Sequence, residues 1–317
     1  MRAVLRSLHA IAPIAARLKE LIGDEVAVVD DDAALAAALP QAELLLITDN
    51  LYTEATARIL RERGQKLQWV QLLSAGYDAV ARHGIPAGVT VTNAGDAYAP
   101  SVATHALALL LGAQRRFPSF LRSQHRHQWN RSQAPHCAIP FGSTAAIIGF
   151  GHIGSELARM LKPLGARIIA VTRHGRAHPD ADEAIAATKL AAVLPRADMV
   201  AIALAASPET RHLIGTREFG LMRRNAVLVN IARGYIVDCI ALAEALKAGT
   251  IAGAGLDVTD PEPLPEDHPL WDAPNLIISP HMAGASGPVM GQRLAKVVGD
   301  NVARRLAGEP LAHLVAL

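Results

Sequence analysis

Gly149-Phe150-Gly151-His152-Ile153-Gly154 follows the apolar run Thr144–Gly149 and opens a helical stretch, His152–Leu161. A strand, a glycine turn and a helix in that order form a recognisable phosphate-binding device. The first glycine permits the tight turn, the second lets backbone approach a pyrophosphate, and the third lets helix and strand pack closely. The helix start adds N–H groups and a positive dipole end. It is this strand-to-helix setting that separates the motif from a glycine turn that merely packs.

Downstream, apolar runs recur at Ala166–Val171, Met199–Leu204, Val227–Asn230, Gly253–Leu256 and Leu276–Ser279. Helical stretches at Thr216–Met222 and Ile240–Ala248 lie between them, which predicts a doubly wound parallel sheet. Upstream, a second set appears at Val4–Leu8, Val26–Val29, Leu44–Ile47, Trp69–Leu73 and Val89–Thr92, spaced by helices Ala33–Leu39 and Thr53–Arg63. Ser101 to Phe120 reads as one long helix, with Pro100 at its start and Pro118 disturbing its end. The last helix is expected at Pro288–Ala307. Two α/β domains follow, residues 1–100 with 285–317, and residues 101–284.

The chain has 317 residues, 51% hydrophobic and 19% charged, enough apolar content for a substantial core and too much for disorder. A net charge of +2 offers no broad footprint for nucleic acid or an anionic membrane. No apolar stretch reaches the ~18–20 residues that span a bilayer. Cys137 and Cys239 are the only cysteines, so neither a disulfide framework nor a cysteine-rich zinc site is expected, and a cytoplasmic setting is the default. Arg2, Arg6, Arg17 and Lys19 at the N-terminus faintly resemble a transit peptide, but the segment reads better as a strand and a helix. His125, His127 and His136 near Cys137 read as loop residues rather than metal ligands, so no metal is expected.

A site for NAD usually carries an acid about 20 residues after the glycine turn, on the ribose hydroxyls. Here that strand ends Thr172-Arg173-His174-Gly175-Arg176, with no acid at its tip. A neutral residue followed by cations suits a 2′-phosphate. NADP is therefore expected over NAD, with Gly149, Gly151, His152, Ile153, Gly154, Thr172, Arg173 and His174 as contacts.

Three further segments carry chemistry: Asn230-Ile231-Ala232-Arg233-Gly234, then Leu256-Asp257 through Glu262-Pro263-Leu264-Pro265, then Ser279-Pro280-His281. With the glycine turn, and with Leu73-Ser74-Ala75-Gly76-Tyr77-Asp78 and Val91-Thr92-Asn93, these resemble the D-isomer-specific 2-hydroxyacid dehydrogenase family across most of the chain. The resemblance implies a Rossmann cofactor domain (101–284) inserted in a flavodoxin-like substrate domain (1–100 and 285–317). It implies Arg233 as the substrate-binding arginine, Glu262 as the acid partner and His281 as the general acid/base. It also implies Asp257 at the nicotinamide carboxamide, and the N–H groups of Ala75 and Gly76 in the substrate carboxylate pocket.

The chemistry of a small 2-oxo acid such as glyoxylate or hydroxypyruvate suits these residue types. A planar guanidinium holds paired oxygens directionally, and histidine is suited to supplying the proton that hydride transfer demands. Tyr98 is a further candidate at the substrate. Thr104 stands where the family often has an acid, which unsettles the hydrogen bonding expected there. Glutamate rather than glutamine beside His281 argues against formate. A homodimer is implied, with the apolar Val102–Ala113 helix contributing to its interface. Two rivals stay open: a phosphonate-type dehydrogenase, and a non-catalytic dinucleotide sensor.

Overall fold

Among the described residues twelve short parallel strands carry the fold: β1 Ala3–Arg6, β2 Val26–Val28, β3 Leu44–Ile47, β4 Trp69–Leu72, β5 Thr90–Thr92, β6 Thr144–Ile148, β7 Arg167–Thr172, β8 Glu183–Ala186, β9 Met199–Ile202, β10 Val227–Asn230, β11 Gly253–Leu256 and β12 Leu276–Ile278. The computed structural model describes residues 1–205 and 207–317. The chain divides into two units, Met1–Tyr98 with Ala285–Leu317, and Ala99–Gly284.

In the first unit the sheet order is β2-β1-β3-β4-β5, a flavodoxin-like winding. β1, β3 and β4 are buried on both faces, as apolar runs flanked by helices must be. Leu5, Leu44, Leu46 and Trp69 pack on one side with Leu294 and Val298 of the helix Gly287–Leu306. Val4, Leu45 and Val70 pack on the other side with Leu35 and Leu60. The chain thus returns at its end to complete the unit in which it began.

In the second unit the order is β12-β11-β10-β9-β6-β7-β8. The winding reverses between β6 and β9, and the glycine turn leaves β6 at that reversal. One row of partners crosses the sheet: Val171, Ile148, Ile202, Asn230, Leu256 and Ile278. Every candidate segment of this unit begins just beyond that row, on the carboxyl edge where open α/β sheets bind ligands. Ile148, Val200, Ile202 and Leu228 are fully or almost fully buried, each worth roughly 1.5–3 kcal/mol of burial.

The structure departs from expectation at two points. The helix expected from Ser101 to Phe120 is two helices, Ala99–Gln114 and Phe117–His125. The break falls at Arg116, whose φ is 61° and whose guanidinium donates to the Ala252 carbonyl at 2.5 Å. Pro118 sits in the first turn of the second helix, where its missing N–H costs nothing. β8 was not foreseen; it is a half-buried edge strand of Glu183-Ala184-Ile185-Ala186, with little apolar signal. The helix expected to contribute to a subunit interface, Val102–Ala113, buries Ala103, Ala106, Leu110 and Ala113 fully and leaves Thr104 and Ala108 exposed. The N-terminal segment is a strand and a helix as expected, β1 and Ile11–Ile22. Among the described residues no helix is long and apolar enough to cross a membrane.

Candidate active site

The glycine turn shows three different constraints. Gly149 has φ 91°, and a Cβ there would lie 2.4 Å from the Leu204 backbone. A Cβ on Gly154 would lie 2.2 Å from the Gly149 carbonyl oxygen. These two glycines are required by the fold. A Cβ on Gly151 would meet nothing within 4 Å, so here the absent side chain leaves open space. Gly151 also caps the helix His152–Leu161 without a side-chain hydrogen bond. An open cradle at a helix N-terminus fits a pyrophosphate.

At the end of β7 the Thr172 hydroxyl is buried and has no hydrogen-bond partner among the described residues. Arg173 and His174 beyond it are exposed. An orphaned hydroxyl beside two solvent-facing basic residues fits the adenosine end of a dinucleotide, with donors available for a 2′-phosphate. Sequence reasoning missed Glu209, in the turn Pro208–Thr210 after β9. The Ser207 side chain, its own backbone N–H and the nearby positive charge of Arg173 hold its carboxyl below the usual range. Glu209 therefore adds negative charge in the neighbourhood of Arg173.

Arg233 owes its place to Asn230. That residue is fully buried at the end of β10. Its Oδ1 accepts from the Ala232 N–H at 3.1 Å and its Nδ2 donates to the Arg233 carbonyl at 2.8 Å. The next residue must be glycine: a Cβ on Gly234 would lie 1.8 Å from the Thr259 carbonyl oxygen. The Arg233 turn is thereby pressed against the segment that leads from β11 to Glu262. The Arg233 side chain is half-buried, with Nη1 donating to the Ala232 carbonyl at 2.7 Å.

His281 Nδ1 and Glu262 Oε1 are 2.6 Å apart, with the two side chains 50% and 41% exposed. With Nδ1–H bonded to the carboxylate, Nε2 is the ring nitrogen left to exchange a proton. His281 itself has φ 50°, an uncommon region for a side-chain-bearing residue. Its N–H donates to the Asp257 carbonyl at 2.7 Å, one of the contacts that hold the backbone there.

Asp257 was expected at the nicotinamide. In the structure its side chain is 2% exposed. Oδ1 accepts from the Met282 N–H at 2.9 Å and the Ser279 hydroxyl at 2.8 Å, and Oδ2 from the Ala283 N–H at 2.9 Å. Its observed work is to brace the His281 loop from below.

In the first unit, Ala75 and Gly76 lie between β4 and the helix Asp78–His83. The Asn93 side chain holds the Ala75 carbonyl at 2.9 Å, and Ser74 Oγ holds that of Gly76 at 2.9 Å. Among the described residues the Ala75 and Gly76 N–H groups donate to no protein acceptor, so they can serve an anion. Tyr98, a further candidate at the substrate, has a partner within its own unit. Its hydroxyl donates to the Leu73 carbonyl at 2.7 Å and its ring packs against the core. Burial also raises the pKa of that phenol. Thr104 bonds back to the Pro100 carbonyl of its own helix at 2.7 Å.

Residues 107–283 match the sequence pattern described as the D-isomer specific 2-hydroxyacid dehydrogenase NAD binding domain. The chain is 34% identical over 274 residues to a glyoxylate reductase of Korarchaeum cryptofilum, across 85% of this chain and 81% of that one. It is 36% identical over 293 residues to the D-3-phosphoglycerate dehydrogenase of Mycobacterium tuberculosis, across 91% of this chain but 54% of that one. Its fold is similar to that of the NADPH-dependent glyoxylate/hydroxypyruvate reductase of Sinorhizobium meliloti, solved with NADP and sulfate. The TM-score is 0.84 at 25% identity, covering 99% of this chain and 98% of that one.

Proposed function

Because this chain belongs to the D-isomer-specific 2-hydroxyacid dehydrogenase family, we propose that it reduces a small 2-oxo acid of the glyoxylate or hydroxypyruvate type to the D-2-hydroxy acid, with NADPH preferred to NADH. The observation that carries this reading is the 2.6 Å His281–Glu262 pair, on the same sheet edge as the Arg233 turn. Asn230, Leu256 and Ile278, one row across neighbouring strands, launch the three segments that bear Arg233, Glu262 and His281. A glyoxylate reductase is also a relative that matches along most of both chains.

When bound, the reduced nicotinamide supplies the hydride, two electrons and one hydrogen, to the carbonyl carbon. Gly149, Gly151, His152, Ile153 and Gly154 would hold its pyrophosphate, and Thr172, Arg173 and His174 its adenosine end. Arg233 grips the carboxylate and carbonyl oxygens of the substrate through paired N–H bonds. In the other unit, the Ala75 and Gly76 N–H groups are left open to a carboxylate. His281 Nε2 donates the proton that converts the developing alkoxide to a hydroxyl. Glu262 fixes the ring orientation and offsets its positive charge while the proton is held. Asp257 keeps the loop in place, and the family resemblance gives it the nicotinamide carboxamide as a further partner. We take the working form to be a homodimer in the cytoplasm.

The test follows loss of reduced-nicotinamide absorbance, with NADPH and NADH in turn, against a panel of 2-oxo acids. Turnover that disappears in Arg233→Ala while NADPH still binds supports reduction at this site. Turnover unchanged in Arg233→Ala refutes it. Silence across the panel with tight NADPH binding favours a dinucleotide sensor.

A further inference from the structure

We infer that His105 is a positioning residue for His281, acting through Ser279 and Asp257. His105 lies on the helix Ala99–Gln114, remote in sequence from the loop it touches. Its Nε2 is 2.7 Å from Ser279 Oγ and 3.4 Å from Asp257 Oδ1. One turn earlier on the same helix, Ser101 Oγ donates to the Ala283 carbonyl at 2.9 Å. The helix therefore grips the His281 loop at both ends, at Ser279 before the histidine and at Ala283 after it.

The bonds fix the direction of the chain. Asp257, as a carboxylate, can only accept, and it does so from the Met282 and Ala283 N–H groups. Ser279 Oγ lies 2.8 Å from Asp257 Oδ1. Two acceptors at that distance need a proton between them, and only the serine hydroxyl can supply it. Its single proton is then committed, so its lone pairs face His105, and the proton on that ring must sit on Nε2. The order runs from His105 Nε2–H to Ser279 Oγ, and from Ser279 O–H to Asp257 Oδ1. From there the carboxylate holds the backbone on which His281 takes its φ of 50°. A neutral imidazole on the opposite tautomer breaks the first link and frees Ser279 to turn toward the Leu256 carbonyl, 3.4 Å away.

Two arms test this, and only the kinetic one rests on the reduction proposed above. In ¹⁵N-histidine-labelled protein, neutral His105 should be the Nε2–H tautomer; the Nδ1–H tautomer overturns the inference. His105→Phe keeps the ring volume without the donor, and His105→Gln restores an N–H at about the Nε2 position. His105→Phe should lower kcat about tenfold with the KM for NADPH unchanged, since small misplacement of a reacting group is costly. It should speed amide exchange at Met282 and Ala283, and His105→Gln should recover most of both effects. Wild-type kcat and exchange in His105→Phe overturn the inference. So does a loss that glutamine fails to rescue and that a fall in melting temperature matches, which assigns His105 to packing alone. If the wild type turns over no 2-oxo acid, the tautomer and exchange measurements still decide.

Discussion

Alanine placed in turn at Gly149, Gly154 and Gly151 should separate folding from binding within a single motif. At Gly154 the new methyl would sit 2.2 Å from the Gly149 carbonyl oxygen and 3.1 Å from Ile147 Cγ2. Backbone must move, which typically costs about 1–3 kcal/mol. At Gly149 a 2.4 Å clash with the Leu204 backbone joins a φ of 91°, which adds roughly 1–3 kcal/mol of strain. At about 2–4 °C per kcal/mol for a unit of this size, both variants should melt several degrees early, Gly149→Ala the lower. Gly151→Ala is different. Its methyl meets nothing within 4 Å, and the reduced freedom of the unfolded chain contributes about 0.4–1 kcal/mol in its favour. That gain offsets the weaker helix cap, so melting should change little. Its Kd for NADPH should rise tenfold or more, about 1.4 kcal/mol, because the methyl occupies the approach to the pyrophosphate. Scanning fluorimetry and calorimetric titration measure the two quantities. Unaltered NADPH affinity in Gly151→Ala would refute the placement of the phosphates, and wild-type melting of Gly154→Ala would refute the packing argument.

His281→Ala should lower kcat by about 10²–10⁴ and Glu262→Gln by less, both with NADPH affinity retained; equal activity in stopped-flow turnover contradicts the proton-transfer role. Arg173→Ala should weaken NADPH much more than NADH, while Glu209→Gln, which removes the negative charge near Arg173, should tighten NADPH selectively; equal changes for the two cofactors count against a 2′-phosphate contact. Burial pushes the Asp198 carboxyl up, but the Thr144 N–H, Arg223 and Asn225 together outweigh it and hold the group below 3.8. A depressed carboxylate contributes its stability in full above pH 3.8 and loses it as pH falls through the lower folded value. Asp198→Asn should therefore cost about 1–3 kcal/mol near neutrality, with the difference from wild type shrinking below pH 3.8 in urea melts; a constant difference at all pH values contradicts this.

The sequence was most readable where burial alone decides. Leu44–Ile47, Val227–Asn230 and Gly253–Leu256 are uninterrupted buried runs, and their strands have the expected bounds. It was least readable where a distant partner decides. The break at Arg116 depends on the Ala252 carbonyl, and nothing in the local sequence favours a left-handed arginine. The Asn230 clamp on the Arg233 turn is local, and an asparagine ending a buried strand before Ala-Arg-Gly was a usable signal for it. The His105–Ser279 bond joins residues on a helix and a loop far apart in the chain, so no spacing rule could reveal it. The Tyr98 hydrogen bond was hidden for a related reason: proximity to a motif says nothing about the carbonyl that claims its hydroxyl.

The row Val171–Ile148–Ile202–Asn230–Leu256–Ile278 makes the carboxyl edge of this sheet modular. From β7 to β12 the strand order takes five steps, and at ~4.8 Å each the two ends stand about 24 Å apart. Substitutions at such separation usually combine independently. On the function proposed above, exchanging the segment after β7 should change cofactor preference without disturbing proton delivery beyond β12, and the converse should hold as well. For protein engineering this means two specificities adjustable by separate grafts, each joined at the same level of one rigid sheet.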